Sequence, residues 1–327
     1  MKVSICITTL NEEKTIAKLL TGLIYQTFEP DEIIIVDGGS KDETPKIIKD
    51  FSKRSKKIKL IIKRCSRSRG RNIAVSNAKN NLIAMTDAGC IPEKNWLERI
   101  INPFKVKTVD VVAGFYKMEV SNSIQKAFSV FLGVHPKDFN NKFLPSTRSI
   151  AFTKRAWGRI GGFDENLKDT AEDSLFNYKA IKLGLNFARV KNAKVKWLMP
   201  ETFTEFFYKL FKYSQGDIQS KIWFYSQKGI VSHNIKILTI LLRYIVGLII
   251  LIYSFYKPSF FILVIFLVFS YFLWSFFKVF LKTKNLYASI WGIILQPMSD
   301  FAVMSGFILG FFKTYFLKYF KSINFIK

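Results

Sequence analysis

The chain has 327 residues, of which 49% are hydrophobic, and it carries a formal net charge of +26 at pH 7. A protein that is soluble throughout rarely combines these two features. The composition therefore predicts a soluble part joined to a membrane part. The three cysteines have no paired spacing, which argues against both a disulfide framework and a cysteine zinc site.

The excess of basic residues needs an anionic partner. An anionic membrane surface is favoured, because long apolar runs follow the charged part of the chain. Nucleic acid is not expected, since the sequence shows no aromatic platform or groove-reading helix. The N-terminus enters an apolar strand without a charged leader or a cleavage site, so the soluble part is expected to stay in the cytoplasm.

Residues 1–105 alternate between strand-like and helix-like segments. Apolar, β-branched strands are predicted at 2–9, 32–36, 59–62 and 82–86, and residues 70–80 suit a helix. Asn11 is placed to cap the helix that follows the first strand. This order of elements predicts an α/β fold with a doubly wound, mostly parallel sheet and right-handed crossovers.

The middle of the chain is less regular. Strands are predicted at 110–120 and 148–153, and a helix is predicted to begin near Thr170. Residues 202–228 predict an amphipathic, aromatic helix that lies on a membrane surface.

Three apolar segments follow, at 235–255, 259–281 and 286–312, each about as long as the roughly 20 residues that a membrane-crossing helix needs. The third is predicted to be broken near Pro297. Arg243 and Asp300 lie inside these segments and are costly in lipid unless they are paired or face protein. The sequence thus predicts a soluble domain over 1–230, an α-helical membrane region over 235–316 and a basic tail over 317–327.

Lysines set the expected orientation. With the first domain inside, the loop with Lys257 faces out, and the loop with Lys282 and Lys284 faces in, as the positive-inside rule prefers. A simple third crossing would place a basic tail outside, against that rule. We therefore expect the Pro297–Asp300 region to form a broken or re-entrant hairpin that returns the C-terminus to the cytoplasm.

Polar side chains follow three of the predicted parallel strands, where ligands bind in open α/β sheets. They are Thr8, Thr9, Asn11 and Glu12 after the first strand, Asp37 after the second and Asp87 after the fourth. No GxGxxG follows the first strand and no GxxxxGK[ST] occurs, which argues against a dinucleotide-binding dehydrogenase and an ATPase-type phosphate loop.

Several of these residues have two interpretations. Asp37 is either a ligand residue or part of an Asp-Gly-Gly-Ser turn. Asp87 either binds a divalent cation or caps a turn, and Asp173 is either a general base or the partner of Thr170 in a capping box. The basic run with Arg69 and Arg71 is either a solvated face or a phosphate site.

Four ordered segments carry a resemblance to a known family. They are VSICITTLNEE, IIIVDGGSKDET, SRGRNIAVSNAKNNLIAMTDAGC and GGFDENLKDTAEDSLF. Together they resemble glycosyltransferase family 2, the inverting enzymes of the GT-A fold, over roughly residues 1–230. Two positions depart from that family's pattern: Leu10 replaces the usual Tyr, and Gly89 replaces the second Asp of the DxD motif.

The resemblance implies a role for each matching position. Asp173 would be the general base that deprotonates an acceptor hydroxyl, with Glu172 beside it. Asp87 would belong to the site of the diphosphate and of a divalent cation, Mg²⁺ or Mn²⁺. The implied nucleotide-sugar site comprises Thr8, Thr9, Asn11, Glu12, Asp37, Arg69, Arg71, Asp87 and Ala88.

The implied function is transfer of a sugar from a nucleotide-sugar donor to a lipid-linked or polysaccharide acceptor by a multi-pass cell-membrane enzyme. Its catalytic domain would face the cytoplasm, and an acceptor site is expected near Phe143–Ser149. A polyprenyl-phosphate sugar synthase is an alternative. An inactive nucleotide-sugar-binding membrane scaffold is an alternative of another class, which Gly89 permits and an intact Asp173 disfavours.

Overall fold

The computed structural model describes residues 1–106, 108–167, 170–225 and 229–316. The chain divides into two compact units. The first comprises Met1–Glu119 and Pro136–Leu198, and the second comprises Val120–His135 and the chain from Met199 onward.

The strands all lie in the first unit and are β1 (Val3–Thr9), β2 (Glu32–Asp37), β3 (Ile58–Ile62), β4 (Leu82–Met85), β5 (Cys90–Pro92), β6 (Val111–Glu119), β7 (Ile150–Thr153) and β8 (Phe187–Leu198). The helices are α1 (Ile16–Ile24), α2 (Thr44–Arg54), α3 (Arg67–Asn77), α4 (Trp96–Ile101), α5 (Pro103–Val106), α6 (Ser123–Leu132), α7 (Lys154–Ile160), α8 (Glu172–Lys182), α9 (Phe203–Gln219), α10 (His233–Tyr256), α11 (Phe260–Thr283) and α12 (Leu286–Phe311). Of these, α6 and α9 to α12 belong to the second unit.

The strands form one eight-stranded mixed sheet in the order β3-β2-β1-β4-β7-β6-β8-β5. The first four of these strands are parallel, as the sequence predicts. The sheet then becomes mixed, because β7 runs antiparallel to both β4 and β6, whereas β6 pairs parallel with β8. The parallel register places Thr9 beside Asp37, so the ends of β1 and β2 meet at one edge of the sheet.

One part of the core of the first unit lies between the sheet and the helices α3, α7 and α8, and α1 and α4 bury further apolar side chains. The parallel strands β1, β2 and β4 are buried on both faces, as is usual for parallel strands covered by helices. Cys6, Ile34 and Ile83 from three neighbouring strands are fully buried in one cluster with Ala74 and Phe176 from the helices. This packing holds the helices that carry the motif residues against the sheet.

Two predicted helix caps are wrong. Asn11 does not cap α1, which begins at Ile16 with Thr15 at the cap position, because Asn11 takes a left-handed conformation with φ of 55°. Thr170 does not cap α8 either, because that helix begins at Glu172 with Ala171 at its cap and has no side-chain cap hydrogen bond.

The amphipathic helix predicted at 202–228 ends nine residues early, at Gln219. Lys221, two residues later, has a left-handed φ of 56°, which an α-helix does not accommodate. Residues 226–228 of that prediction lie outside the described ranges. Its start is confirmed, since Thr202 accepts a hydrogen bond from the backbone N–H of Glu205 at 3.1 Å.

The break predicted near Pro297 is also wrong, because α12 is continuous from Leu286 to Phe311 with Pro297 inside it. Close packing on both sides of the proline explains this. A Cβ at Gly292 would lie 2.6 Å from Val279 Cγ2 of α11, and one at Gly306 would lie 2.3 Å from the carbonyl oxygen of Phe211 in α9. These contacts keep the chain helical through a position that lacks one backbone hydrogen bond.

Three helices of the second unit are long and apolar enough to cross a membrane. In α10 and in α11, 6% of the residues in the most apolar stretch of the helix are buried. In α12 the corresponding share is 44%. Arg243 of α10 and Asp300 of α12 form an ion pair, in which Arg243 donates to Asp300. The predicted basic tail, 317–327, lies outside the described residues.

Candidate active site

The site lies at the carboxyl edge of the parallel strands. Thr9 ends β1, Asp37 ends β2, and Asp87 follows β4, the other neighbour of β1. Thr9 Oγ1 and Thr86 Oγ1 are buried without a hydrogen-bond partner in the part of the chain that the structure describes. Because buried hydroxyls are normally paired, these two favour a polar ligand at this edge.

Asp37 closes the turn after β2. Its Oδ1 accepts hydrogen bonds from the backbone N–H groups of Gly39 at 2.9 Å and Ser40 at 2.8 Å, and its Oδ2 accepts one from Ser40 Oγ at 2.6 Å. Asn11 joins the same turn to β1, since its Oδ1 accepts from the backbone N–H of Lys41 at 2.9 Å. The turn interpretation of Asp37 is therefore confirmed, and its carboxylate still has lone pairs for a ligand.

Glu12 reaches the segment that follows β4. Its Oε2 accepts from Thr15 Oγ1 at 2.5 Å, and its backbone N–H donates to Thr44 Oγ1 at 2.7 Å. A Cβ built on Gly89 would lie 3.9 Å from Glu12 Oε1. The carboxylate of Glu12 thus lies next to the position where the related family carries its second Asp.

Arg71 is the centre of the site. Its side chain is only 2% exposed, and it donates to Glu172 through Nη1. Its Nη2 donates to Asp87 Oδ1 and to Thr147 Oγ1, each at 2.7 Å. Arg71 therefore joins residues from α3, the end of β4, the segment before β7 and the start of α8, which are far apart in the sequence.

Glu172 and Asp173 begin α8 but have different surroundings. Glu172 is 3% exposed and holds Arg71, whereas Asp173 is half-buried and its Oδ1 accepts from the backbone N–H of Ser174 at 2.7 Å. The residue before them, Ala171, has a left-handed φ of 68°, an uncommon conformation for a non-glycine residue. Such strained backbone is concentrated at functional sites, where the surrounding structure maintains it.

Two carboxyl groups of the site have displaced pKa values in opposite directions. Burial opposes ionisation of Asp87, yet the guanidinium groups of Arg71 and Arg148 hold its pKa below the usual value. Burial, with the neighbouring Glu172 carboxylate adding to it, raises the pKa of Asp173 to about 6. Asp87 is thus a permanent anion at neutral pH, and Asp173 is poised to exchange a proton.

Asn72 connects two of the sequence motifs. Its Nδ2 donates to the carbonyl of Phe163 at 2.8 Å, and its Oδ1 accepts from the backbone N–H of Phe163 at 2.8 Å. Gly162, at φ of 71°, leaves room for this, because a Cβ there would lie 2.8 Å from Asn72 Oδ1. These two hydrogen bonds fix α3 to the segment 161–164, which contains Phe163.

Three predicted donor residues lie beside this network. Thr8 contacts α3, and a Cβ on Gly70 would lie 2.8 Å from Thr8 Cγ2. Ala88 is 4% exposed, next to Asp87. Arg69 is half-exposed and its Nε lies 3.9 Å from Glu165 Oε2, a loose surface ion pair.

Sequence reasoning missed the roles of Thr147 and Arg148. Thr147 is 2% exposed and accepts from Arg71, and the Arg148 guanidinium carbon lies 3.8 Å from the centre of the Trp197 ring. Both fall within the acceptor region expected at Phe143–Ser149. No local pattern distinguishes them, since their partners come from α3 and β8.

The residues present do not form a metal site by themselves. Within the described ranges, no group of three or more His, Cys, Asp or Glu side chains is placed to hold a metal ion. Asp87 supplies one carboxylate, whose Oδ1 already accepts from Arg71. One carboxylate fits a cation that shares its remaining ligands with substrate phosphates, as Mg²⁺ commonly does.

Known proteins resemble this chain in sequence. The family model for glycosyl transferase family 2 matches residues 4–165. The chain is 30% identical to glycosyltransferase AglE of Haloferax volcanii over 116 residues, which are 34% of this chain and 38% of AglE. It is 26% identical to glycosyltransferase EpsJ of Bacillus subtilis over 249 residues, which are 70% of this chain and 71% of EpsJ. The chain thus spans less than two thirds of AglE.

A solved structure supports the fold. It is mannosyltransferase PcManGT from Pyrobaculum calidifontis in complex with GDP-Man and Mn²⁺, with a TM-score of 0.53 at 19% identity, over 67% of this chain and 62% of that one. The mixed sheet and its parallel strands therefore have the GT-A fold. The chain therefore carries a glycosyl transferase family 2 domain over residues 4–165. Asp173 lies beyond the matched residues, so its role rests on the geometry described above.

Proposed function

We propose that this protein is a membrane-anchored inverting glycosyltransferase, which moves a sugar from a nucleotide-sugar donor to a hydroxyl of a lipid-linked or glycan acceptor. The observation that supports this best is the Arg71 network, which places Asp87 and the Glu172–Asp173 pair at one site. A permanent anion and a carboxylate of raised pKa then lie on one side of the sheet edge. Environments that move the pKa values of two carboxyl groups apart in this way are typical of acid–base sites.

In this reaction Asp173 removes the proton of the acceptor hydroxyl. The acceptor oxygen forms a bond to the anomeric carbon as the bond from that carbon to the donor's diphosphate oxygen breaks. The nucleoside diphosphate leaves with the bonding electron pair, and the single displacement inverts the configuration. Because Asp173 Oδ1 accepts from Ser174, we assign the proton to Oδ2.

Arg71 and Glu172 are positioning residues in this proposal. Both charges of the Glu172–Arg71 pair are almost fully buried, so Glu172 orients Arg71 and does not itself exchange a proton with the acceptor. Arg71 in turn orients Asp87. The predicted donor site at Thr8, Thr9, Asn11, Glu12, Asp37, Arg69 and Ala88 remains part of the proposal, supported by the unpaired hydroxyl of Thr9.

A divalent cation, Mg²⁺ or Mn²⁺, remains a prediction. Asp87 would be its one protein ligand, and the cation would offset the negative charge of the donor's diphosphate. PcManGT was solved with GDP-Man and Mn²⁺ together, so Mn²⁺ is included in the assays below.

Replacing Gly89 by Asp is expected to strengthen Mn²⁺ binding about tenfold in the presence of donor, because it adds a second carboxylate ligand. The space allows it, since the new Cβ meets only Glu12 oxygens, at 3.9 Å and 4.0 Å. Electron paramagnetic resonance of Mn²⁺ measures the free ion directly, independently of activity. Unchanged Mn²⁺ affinity in Gly89→Asp would mean that Asp87 is not at a cation site.

Turnover of nucleotide-sugars by the detergent-purified chain tests the function. UDP-, GDP- and dTDP-sugars are supplied with Mn²⁺ or Mg²⁺ and a lipid extract as the acceptor source, and release of nucleoside diphosphate is measured. We expect one donor class to be turned over. If a donor binds but is never turned over, the result would contradict the proposal of an active enzyme. It would favour the alternative of an inactive nucleotide-sugar-binding scaffold.

We also propose that α10 and α11 cross the membrane, and that α12 lies across the base of this pair. The two helices are antiparallel, and the link at 257–259 is at their far end. Ser275 Oγ, in the last turns of α11, donates to the carbonyl of Gly292 at 2.6 Å. Phe307, in the last turns of α12, packs with Ile237 in the first turns of α10.

Both halves of α12 therefore contact the half of the α10–α11 hairpin that lies opposite the 257–259 link. The charge distribution agrees, because Lys236, Lys282, Lys284 and Lys313 belong to this base and only Lys257 belongs to the far end. This arrangement returns the chain to the cytoplasmic side without the predicted break at Pro297.

Cysteine labelling in intact cells tests this topology in a Cys65→Ser background, since the other two cysteines are buried. A membrane-impermeant maleimide should label Ser259→Cys at the far end of the hairpin. It should label Lys313→Cys only after the cells are lysed. Labelling of Lys313→Cys in intact cells would show that α12 crosses the membrane.

A further inference from the structure

The second unit contains a polar cluster among its most apolar helices, which we call the Asp300 cluster. It consists of Arg243 of α10, Tyr271 and Lys278 of α11, and Gln296 and Asp300 of α12. Asp300 Oδ2 accepts from Arg243 and, at 2.6 Å, from the Tyr271 hydroxyl, while Oδ1 accepts from Gln296 Nε2 at 2.9 Å. Lys278 Nζ donates to Gln296 Oε1 at 2.8 Å.

The charges of the cluster do not balance. Asp300 is the one acidic residue in the sequence between 233 and 316, and its carboxylate pairs with Arg243. Lys278 donates to a neutral amide, and in the part of the chain that the structure describes it forms no ion pair. A positive charge without an anion is expensive next to lipid, so the cluster favours binding of an anion.

The two cations differ in exposure: Lys278 is only partly exposed, with its Nζ 4.3 Å from the centre of the Phe131 ring, whereas Arg243 is more open. Arg243 has 40% of its side chain exposed, although Asp300 behind it is only 2% exposed. The ring of Trp274, itself half-exposed, lies beside both: its centre is 5.8 Å from the Arg243 guanidinium carbon and 5.3 Å from Lys278 Nζ. Both cations thus lie beside the same indole ring, so an anion that approaches this ring comes near both of them.

The position of the cluster selects the kind of anion. Lys278 lies five residues before the end of α11, at about 8 Å of helix length from the hairpin base, and Arg243 lies ten residues into α10, at about 15 Å. Both residues lie in the half of the hairpin opposite the 257–259 link, and long basic side chains next to lipid extend toward the interface, where lipid phosphates lie. The exposed neighbours Leu242 and Ile245 are apolar, so the approach to Arg243 suits acyl or isoprenoid chains.

We propose that Arg243 and Lys278 form a binding site for the phosphate headgroup of a membrane lipid, in the cytoplasmic half of the α10–α11 hairpin. Asp300, Tyr271 and Gln296 orient the two cations. The lipid is either a bulk anionic phospholipid or a polyprenyl phosphate, which present the same phosphate chemistry. The site does not depend on sugar transfer and stands even if no donor is turned over.

Native mass spectrometry of the detergent-purified full-length chain tests this site. The chain is titrated with phosphatidylglycerol, with polyprenyl phosphate and with zwitterionic phosphatidylcholine. We expect one or both anionic lipids to bind more tightly than phosphatidylcholine. Lys278→Gln should weaken that binding about tenfold, the effect of losing one charged hydrogen bond, while the Arg243–Asp300 pair stays intact.

Lys257→Gln is the matched control, because it removes the same charge from the far end of the hairpin. A second variant, Arg243→Gln with Asp300→Asn, removes the ion pair without leaving a buried charge, and should also weaken binding. Preference for one of the two anionic lipids identifies the source of the phosphate. Equal binding of all three lipids, or equal effects of Lys278→Gln and Lys257→Gln, would overturn the proposal.

Discussion

Asp173→Asn is expected to lower kcat by a factor of about 10² to 10⁴, the usual contribution of a general base. The amide cannot take the acceptor's proton, but it keeps the size of the side chain and can still accept from the backbone N–H of Ser174. Donor binding should therefore be unchanged. The measurement is steady-state sugar transfer with the donor that the panel identifies, beside equilibrium binding of that donor.

Asp164→Asn is the matched control for this variant. Asp164 lies in the same motif region, but it pairs with Lys179 across 3.7 Å, and its side chain is 25% exposed. Its replacement should leave kcat within about twofold, because partly exposed pairs contribute little. Equal kcat values for Asp173→Asn and the unmodified chain would remove Asp173 from the mechanism.

The same residue sets the expected pH dependence. The base acts when ionised, and burial with the Glu172 carboxylate raises the pKa of Asp173 to about 6. The value of kcat/KM should therefore be constant above about pH 7 and fall tenfold per pH unit well below 6. A rate that stays constant down to pH 5 would contradict this assignment.

Arg71→Gln is expected to destabilise the folded protein by about 3–5 kcal/mol, the usual cost of breaking a buried ion pair. Arg71 is 2% exposed and Glu172 4% exposed, so the variant leaves the Glu172 carboxylate buried without its partner. Transfer activity should be lost as well, since Arg71 also orients Asp87. Thermal unfolding followed by tryptophan fluorescence measures the first effect.

Two comparisons separate charge burial from other causes. Adding Glu172→Gln to Arg71→Gln removes the unpaired carboxylate and should recover most of the lost stability, but not the activity. Arg69→Gln, on the same helix, breaks only a half-exposed pair at 3.9 Å and should change stability by less than about 1 kcal/mol. Equal losses in Arg69→Gln and Arg71→Gln would show that the buried network is not the source of stability.

Local patterns predicted the first four strands well, because buried parallel strands are continuous apolar runs between polar turns. The apolar helices were predicted within two residues at each end, since long apolar runs bounded by polar residues can be read directly from the sequence. Helix starts were less predictable. Asn11 and Thr170 have capping chemistry, but Asn11 instead joins two turns, and the strained Ala171 begins α8.

The candidate residues Asp37, Asp87 and Asp173 were found from strand ends and motif resemblance, and their assigned roles remain predictions. Which role each residue is proposed to have depends on contacts between residues that are far apart in the sequence. Glu172 was paired with Asp173 as a catalytic residue, but its partner is Arg71, 101 residues earlier. Thr147 and Arg148 were found only in the structure, because their partners lie on other elements.

The sequence by itself determined the α/β class, the sheet edge that carries the site, the family resemblance and the presence of long apolar helices, because each follows from local periodicity or from ordered motifs. Only the tertiary structure decided that α12 runs unbroken through Pro297 and that Arg243 pairs with Asp300. It also decided that Arg71 is the centre of the site. The physical reason is that packing, burial and ion pairing join residues far apart in the chain, and the energy of a proline, a charge or a cap depends on those neighbours.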